Sequence, residues 1–161
     1  MAGFLGEAEC KIDAKGRLLM PAKFLKQMPQ NNADVLVINK GIEKCLNLYT
    51  LSEWNKISEN INNLNSFDPK VRLFRRLHFS GVDELKIDGN RRILLPKRLL
   101  QYANIKKELV MVGFFNQIEI WEADYYYKML DNVQPDDYAE LAEEVMSSGT
   151  IVGGGGVPSR V

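Results

Sequence analysis

The chain has 161 residues, 45% of them hydrophobic and 26% charged, which suits one domain or two small fused units of a globular protein. No apolar run approaches the roughly 20 residues of a membrane-spanning helix, and the start, MAGFLGEAEC, lacks the basic and long apolar regions of a signal peptide. Net charge is zero but unevenly spread: residues 1–130 hold 20 bases and 15 acids, while the chain from Asp131 onward holds one base and six acids. A basic body with an acidic end points toward a polyanionic partner. A cytoplasmic location is the expectation, and Cys10 and Cys45 are expected to be reduced thiols rather than a bridge.

In chain order, Glu7–Ile12 is predicted to be extended and Asp13–Arg17 to be a polar turn with Gly16 aiding the reversal. Leu18–Met20 is a predicted strand, and Pro21 predicts a short helix starting there and reaching about Gln27. Two strands follow, Val35–Ile38 and Leu46–Tyr49. Leu51–Leu64 is predicted helical, with Ser52 as its cap and Trp54, Ile57, Ile61 and Leu64 at helical spacing. Asp68-Pro69 predicts the cap and first turn of a second helix to His78, with Val71, Phe74, Leu77 and His78 on one face and Arg72, Arg75 and Arg76 mainly on the other.

The pattern then begins again. Val82–Ile87 is extended, Asp88–Arg92 is a turn in which Gly89-Asn90 suits the reversal, and Ile93–Leu95 is a strand. Pro96 predicts a helix to about Tyr102, and Leu109–Val112 and Ile118–Trp121 are strands. Residues 11–25 (KIDAKGRLLMPAKFL) and 86–100 (KIDGNRRILLPKRLL) are identical at 7 of 15 positions, an offset of 75. A unit of roughly 45 residues is too small to bury a good core alone, so two copies are expected to close one shared core. Helices are predicted at Glu122–Leu130 and Pro135–Ser147, the second with Tyr138, Leu141, Ala142 and Val145 on one side. The glycine-rich end from Gly149 is expected to be a disordered tail. The expected divisions are 7–54 (first repeat), 55–80 (helical connector), 82–126 (second repeat), 127–148 (helical extension) and 149–161 (tail).

Little in the chain suggests catalysis. His78, the single histidine, falls on the apolar side of a predicted helix, where packing is the expected role. The cysteines lack metal-ligand spacing, and the glycines at 153–156 have no following lysine to make a phosphate cradle. No cofactor, metal, membrane or small-molecule substrate is expected.

The Asp-x-x-x-Arg turn stands out because it recurs in register. A purely structural role accounts for it: the aspartate caps its own turn and the arginine pairs back. Its surroundings suggest more. Around the first turn lie Lys11, Lys15, Lys23 and Lys26; around the second lie Lys86, Arg91, Lys97 and Arg98. Arginines on a rigid two-stranded ribbon suit guanine edges in a major groove, and nearby lysines suit phosphates. Both roles are compatible, with Asp13 and Asp88 holding Arg17 and Arg92 in place. Arg75 and Arg76 suit a subunit interface as well as they suit DNA.

FLGE (4–7), DAKGRLLMP (13–21), Trp54, FRRLHFSGVDE (74–84), DGNRRILLP (88–96) and IEIW (118–121) together resemble the MraZ family over about residues 4–130. That family comprises bacterial transcriptional regulators built from two SpoVT-AbrB-like repeats. The resemblance implies a mixed β/α fold: an AbrB-like swapped-hairpin β-barrel formed by the two internal repeats, with flanking helices. It implies ring-shaped homo-oligomers that bind short direct repeats in double-stranded DNA upstream of their own operon, the division and cell-wall cluster. By position, Lys15, Arg17 and Arg92 inherit the DNA-binding signature. The chain departs from the pattern at Arg91, where the family usually has glycine, and in the acidic segment after Asp131. AbrB-like barrels also occur in antitoxins, so a protein-interaction module that pairs with a toxin is the alternative.

Overall fold

A computed structural model describes residues 3–148, and the expected tail from residue 149 lies outside the described residues. The first repeat supplies β1 (Phe4–Lys11), β2 (Arg17–Leu19), α1 (Ala22–Lys26), β3 (Val35–Lys40) and β4 (Leu46–Thr50). Then come α2 (Leu51–Asn62) and α3 (Pro69–Phe79). The second repeat supplies β5 (Asp83–Lys86), β6 (Arg92–Leu94), α4 (Lys97–Tyr102), β7 (Glu108–Phe115) and β8 (Ile118–Glu122), followed by α5 (Ala123–Asp131) and α6 (Pro135–Ser147).

Among the described residues, each of the eight strands has a partner in the other repeat. The larger sheet is antiparallel with order β1-β7-β8-β4-β3-β5, and β2 pairs with β6 in a separate two-stranded ribbon. β1 of the first repeat lies on β7 of the second, β5 of the second lies on β3 of the first, and β4 meets β8 at the centre. This exchange makes a swapped-hairpin, barrel-like fold. Neither repeat can satisfy its edge strands alone, since β1 and β2 are tied to each other by little more than the Ile12–Leu18 bridge. β1 starts three residues earlier than predicted because Phe4 is buried and the ladder with β7 runs from Phe4–Phe115 to Lys11–Glu108.

The shared core lies between the two sheets. Leu18 and Ile93 from the ribbon, Phe24, Leu99 and Leu100 from the short helices, and Leu36, Ile38, Leu48, Leu109, Met111, Ile118 and Ile120 from the larger sheet form one cluster. Burying a side chain of this size contributes about 1.5–3 kcal/mol before conformational costs. A smaller cluster of Val37, Tyr49 and Trp54 lies on the other side of β3 and β4, beneath α2.

Three local expectations need correction. The cap of α2 is Thr50, whose Oγ1 accepts the Glu53 N–H at 3.2 Å; Ser52 lies one residue inside the helix. Pro21 and Pro96 occupy the cap positions themselves, with extended ψ of 136° and 133°, so each helix begins one residue later. The reversal in the second turn is made by Arg91 at φ 62°, whereas Gly89 is not in the left-handed region. Asp68 does cap α3, its Oδ1 accepting the Lys70 N–H at 2.9 Å.

The described residues divide into two compact units, one up to Ala123 and one from Asp124 onward. No helix of the described residues is long and apolar enough to cross a membrane. In the second unit, α6 buries none of its side chains. Cys10 and Cys45 are free thiols, and burial, the largest cause, pushes Cys45 up to about 12.

Candidate nucleic-acid interface

The two Asp-x-x-x-Arg turns fold by one local mechanism. In the first, Asp13 Oδ1 accepts the backbone N–H groups of Lys15 and Arg17, both at 2.9 Å, and its Oδ2 accepts Arg17 Nε at 2.8 Å. In the second, Asp88 Oδ1 accepts from the N–H of Asn90 at 2.8 Å and of Arg92 at 2.9 Å, and its Oδ2 accepts Arg92 Nε at 3.4 Å. A short acceptor that bonds its own backbone two and four residues ahead is what aspartate supplies and glutamate cannot without a longer loop. The N–H of Arg17 is the largest cause that holds the Asp13 carboxyl below the ordinary carboxylate range; the N–H of Arg92 does the same for Asp88.

The turns are bound to each other. The Gly16 carbonyl accepts the Leu95 N–H at 2.9 Å, and the Arg91 carbonyl accepts the Met20 N–H at 2.8 Å. Between them the ribbon register pairs Arg17 with Leu94, Leu18 with Ile93 and Leu19 with Arg92. Alternation along a strand turns Leu18 and Ile93 into the core. It leaves Arg17, Leu19, Arg92 and Leu94 on the outer face. The two leucines are 54% and 58% exposed, and the arginine side chains 36% and 32%. The arginines sit on a diagonal of this face, about 7 Å apart at Cβ. Each aspartate engages Nε, so the two Nη atoms of each guanidinium remain the pair that a planar bidentate acceptor needs.

The other predicted basic residues are exposed. Lys15 and Arg91 stand on the turns beside the arginines, Lys97 and Arg98 open α4, and Lys86 ends the edge strand β5. Lys23 on α1 donates from Nζ to the Glu7 carbonyl at 2.6 Å, and Lys11 lies 3.8 Å from Glu108 across the β1–β7 ladder. Leu19 and Leu94 were not singled out by sequence. Their strand spacing relative to Arg17 and Arg92 carried the information, since residues two apart share a face.

His78 packs instead of presenting a reactive edge. Its ring stacks on Trp54 at 4.9 Å and 7°, and burial lowers its pKa, favouring the neutral imidazole. It lines a cleft of about 580 Å³ with Asn39, Glu119, Phe74 and Leu77. None of the predicted DNA-binding residues lines that cleft.

The family model described as "MraZ protein, putative antitoxin-like" matches residues 4–77 and again 78–147. The second match takes in α6, so the acidic helix lies within the family pattern rather than beyond it. Proteins named "Transcriptional regulator MraZ" are similar along most of their length. One from Cytophaga hutchinsonii is 37% identical over 91% of this chain and 97% of its own. One from Christiangramia forsetii is 41% identical over 92% and 96%. A third, from Flavobacterium psychrophilum, is 39% identical over 92% and 94%. With the duplicated match and relatives that share nearly their whole length with it, the chain belongs to the MraZ family.

Proposed function

We propose that this chain is a non-enzymatic, sequence-specific DNA-binding regulator of transcription, acting in the cytoplasm on the nucleoid. The observation that carries the proposal is the outer face of the β2–β6 ribbon, where Arg17 and Arg92 are each fixed by an aspartate from within their own turn. A two-stranded ribbon fits the roughly 12 Å width of a major groove. A spacing of about 7 Å between the guanidinium-bearing positions corresponds to about two base steps of B-DNA. Arg17 and Arg92 read guanine edges, with Arg91 next to them, while Asp13 and Asp88 hold the arginines without touching DNA. Lys11, Lys15, Lys23, Lys86, Lys97 and Arg98 bind phosphates and supply the salt-sensitive affinity.

The names of the relatives support regulation of transcription. Family resemblance supports the finer reading: short direct repeats in the chain's own promoter, upstream of the division and cell-wall genes, bound by a ring of identical subunits. A ring repeats a modest surface at fixed intervals, so several weak contacts combine through effective concentration. The test is a gel shift on the chain's own upstream region over a salt series, with molecular mass measured in the same buffer. Tight binding that weakens steeply with salt, by an oligomer, is expected; equal binding to unrelated DNA contradicts sequence reading. The antitoxin-like description favours one alternative, a module that pairs with a toxin. Stoichiometric co-purification of a small basic protein, with no promoter binding, would support it.

A further inference from the structure

α3 and α6 occupy the same place in their repeats: each is the last helix of its family match, and each begins with proline. Both leave an apolar stripe uncovered. On α3 the stripe is Leu73, Phe74 and Leu77; on α6 it is Tyr138, Leu141 and Val145. No residue of either helix is fully buried, although His78 of α3 packs on Trp54. At about 1.5 Å per residue these stripes run roughly 6 Å along α3, from Leu73 to Leu77, and roughly 10 Å along α6, from Tyr138 to Val145, exposed to solvent.

Their charges are opposite. α3 carries Lys70, Arg72, Arg75, Arg76 and no acid; α6 carries Asp136, Asp137, Glu140, Glu143, Glu144 and no base. Among the described residues, no ion pair neutralises any of these. Arg72 and Arg75 have a local use, donating to Ser66, Phe67 and Asn62 in the α2–α3 turn. By helical spacing Lys70 lies in line with the α3 stripe at its N-terminal end and Arg76 lies beside it, while Asp137 and Glu144 share one side of the α6 stripe. Some of these charges are misplaced for their own helix. Lys70 sits in the first turn of α3, and Glu144 lies near the end of α6, where no base balances it. Each therefore opposes the helix dipole locally.

We propose that α3 of one copy packs against α6 of the next, apolar stripe on apolar stripe, with Lys70 and Arg76 facing Asp137 and Glu144. The contact joins two different surfaces, so where the α3 and α6 of one copy meet different neighbours it propagates head to tail and closes a ring when the rotation permits. A reciprocal exchange between two copies would stop at twice the protomer mass, which overturns the ring reading. Like-with-like contacts set four or five equal charges against each other, which selects against a dimer that pairs α3 with α3 or α6 with α6. This rests on the ring reading above and names the surface that makes it.

Two charge-reversed chains test it. In the first, Lys70→Glu and Arg76→Glu make α3 acidic at its rim; in the second, Asp137→Lys and Glu144→Lys make α6 basic. Light scattering without DNA is expected to show each variant alone dropping to the protomer mass, with unchanged circular dichroism. An equimolar mixture is expected to recover the wild-type mass, because the acidic α3 of one variant now meets the basic α6 of the other. Within one chain no such rescue is available, so loss of assembly without rescue on mixing overturns the proposal, as does wild-type mass for both variants alone. A wild-type chain that is itself monomeric overturns the ring reading beneath it. Binding of the folded Asp137→Lys, Glu144→Lys variant to a single-repeat DNA fragment, unchanged to within about threefold, shows that the DNA reading stands whichever way the assembly result falls.

Discussion

Gly16 and Arg91 hold the same place in the two turns, with φ of 83° and 62°. Around them the hydrogen bonds match nearly atom for atom: an aspartate collects two backbone N–H groups and an arginine Nε, and the residue in question offers its carbonyl to the opposite strand. The geometry is therefore dictated by the aspartate and the cross-turn bonds, not by glycine. What differs is the cost. Glycine enters the left-handed region freely, whereas an L-residue with a side chain loses roughly 1–2 kcal/mol there. In the first copy the site is also crowded, since a Cβ on Gly16 would lie 3.3 Å from the Leu95 carbonyl oxygen. In the second copy the position is exposed, and it carries a third cation beside Arg92. A strained exposed arginine where glycine would be easier is the kind of exception expected at a functional surface.

The largest expected effect is on DNA affinity. Arg17→Ala should cost about 1–3 kcal/mol per site, and Arg92→Ala should cost less, because Arg91 stands next to it to retain part of the contact. Titrations on the same promoter fragment check this; equal losses would make the two copies interchangeable despite Arg91. Stability should split the copies in the opposite sense. Gly16→Ala should destabilise by about 1–3 kcal/mol through its backbone angle and close contact. Arg91→Gly should leave stability level or raise it by up to about 1 kcal/mol in urea unfolding, while flattening the salt slope of DNA binding by about one. If Arg91→Gly destabilises the fold, the arginine has a structural role instead.

A smaller effect is expected with pH. Both carboxyl pKa values are depressed in the folded chain. Their contribution is therefore fully present above the unfolded value of about 3.9 and is lost as pH falls through the lowered folded values. Carbon-detected NMR titration should show Asp13 and Asp88 ionising below ordinary aspartates, with the Arg17 and Arg92 amide signals moving together with them. A carboxyl that titrates at the ordinary value would mean that its turn is open in solution.

The sequence already carried both turns, both ribbon strands and most element positions, because repetition at a fixed offset and proline after a short apolar run are local signals. It did not carry the exchange of strands. An alternating run such as Phe4–Lys11 states which face is buried but not that its partner is Phe115 to Glu108, a whole repeat away. It also misplaced three local features, the first being the helix starts, which fall one residue after Pro21 and Pro96. Ser52 and Thr50 are both good caps, and the end of β4 decides between them. Gly89-Asn90 is a good reversal, but Asp88 bonds Asn90 and Arg92 and forces the left-handed angle onto Arg91. The leucines opposite the arginines were visible only once the register was known.

Protection of guanine N7 from methylation on the upstream fragment tests the central claim most directly, because N7 lies in the major groove where the arginines are proposed to dock. Bound wild-type protein should shield guanines at regular intervals, and the Arg17→Ala/Arg92→Ala chain, at unchanged oligomer mass and at concentrations that still saturate the fragment, should leave them reactive. Unchanged protection by that double variant would contradict base reading by the twin turns.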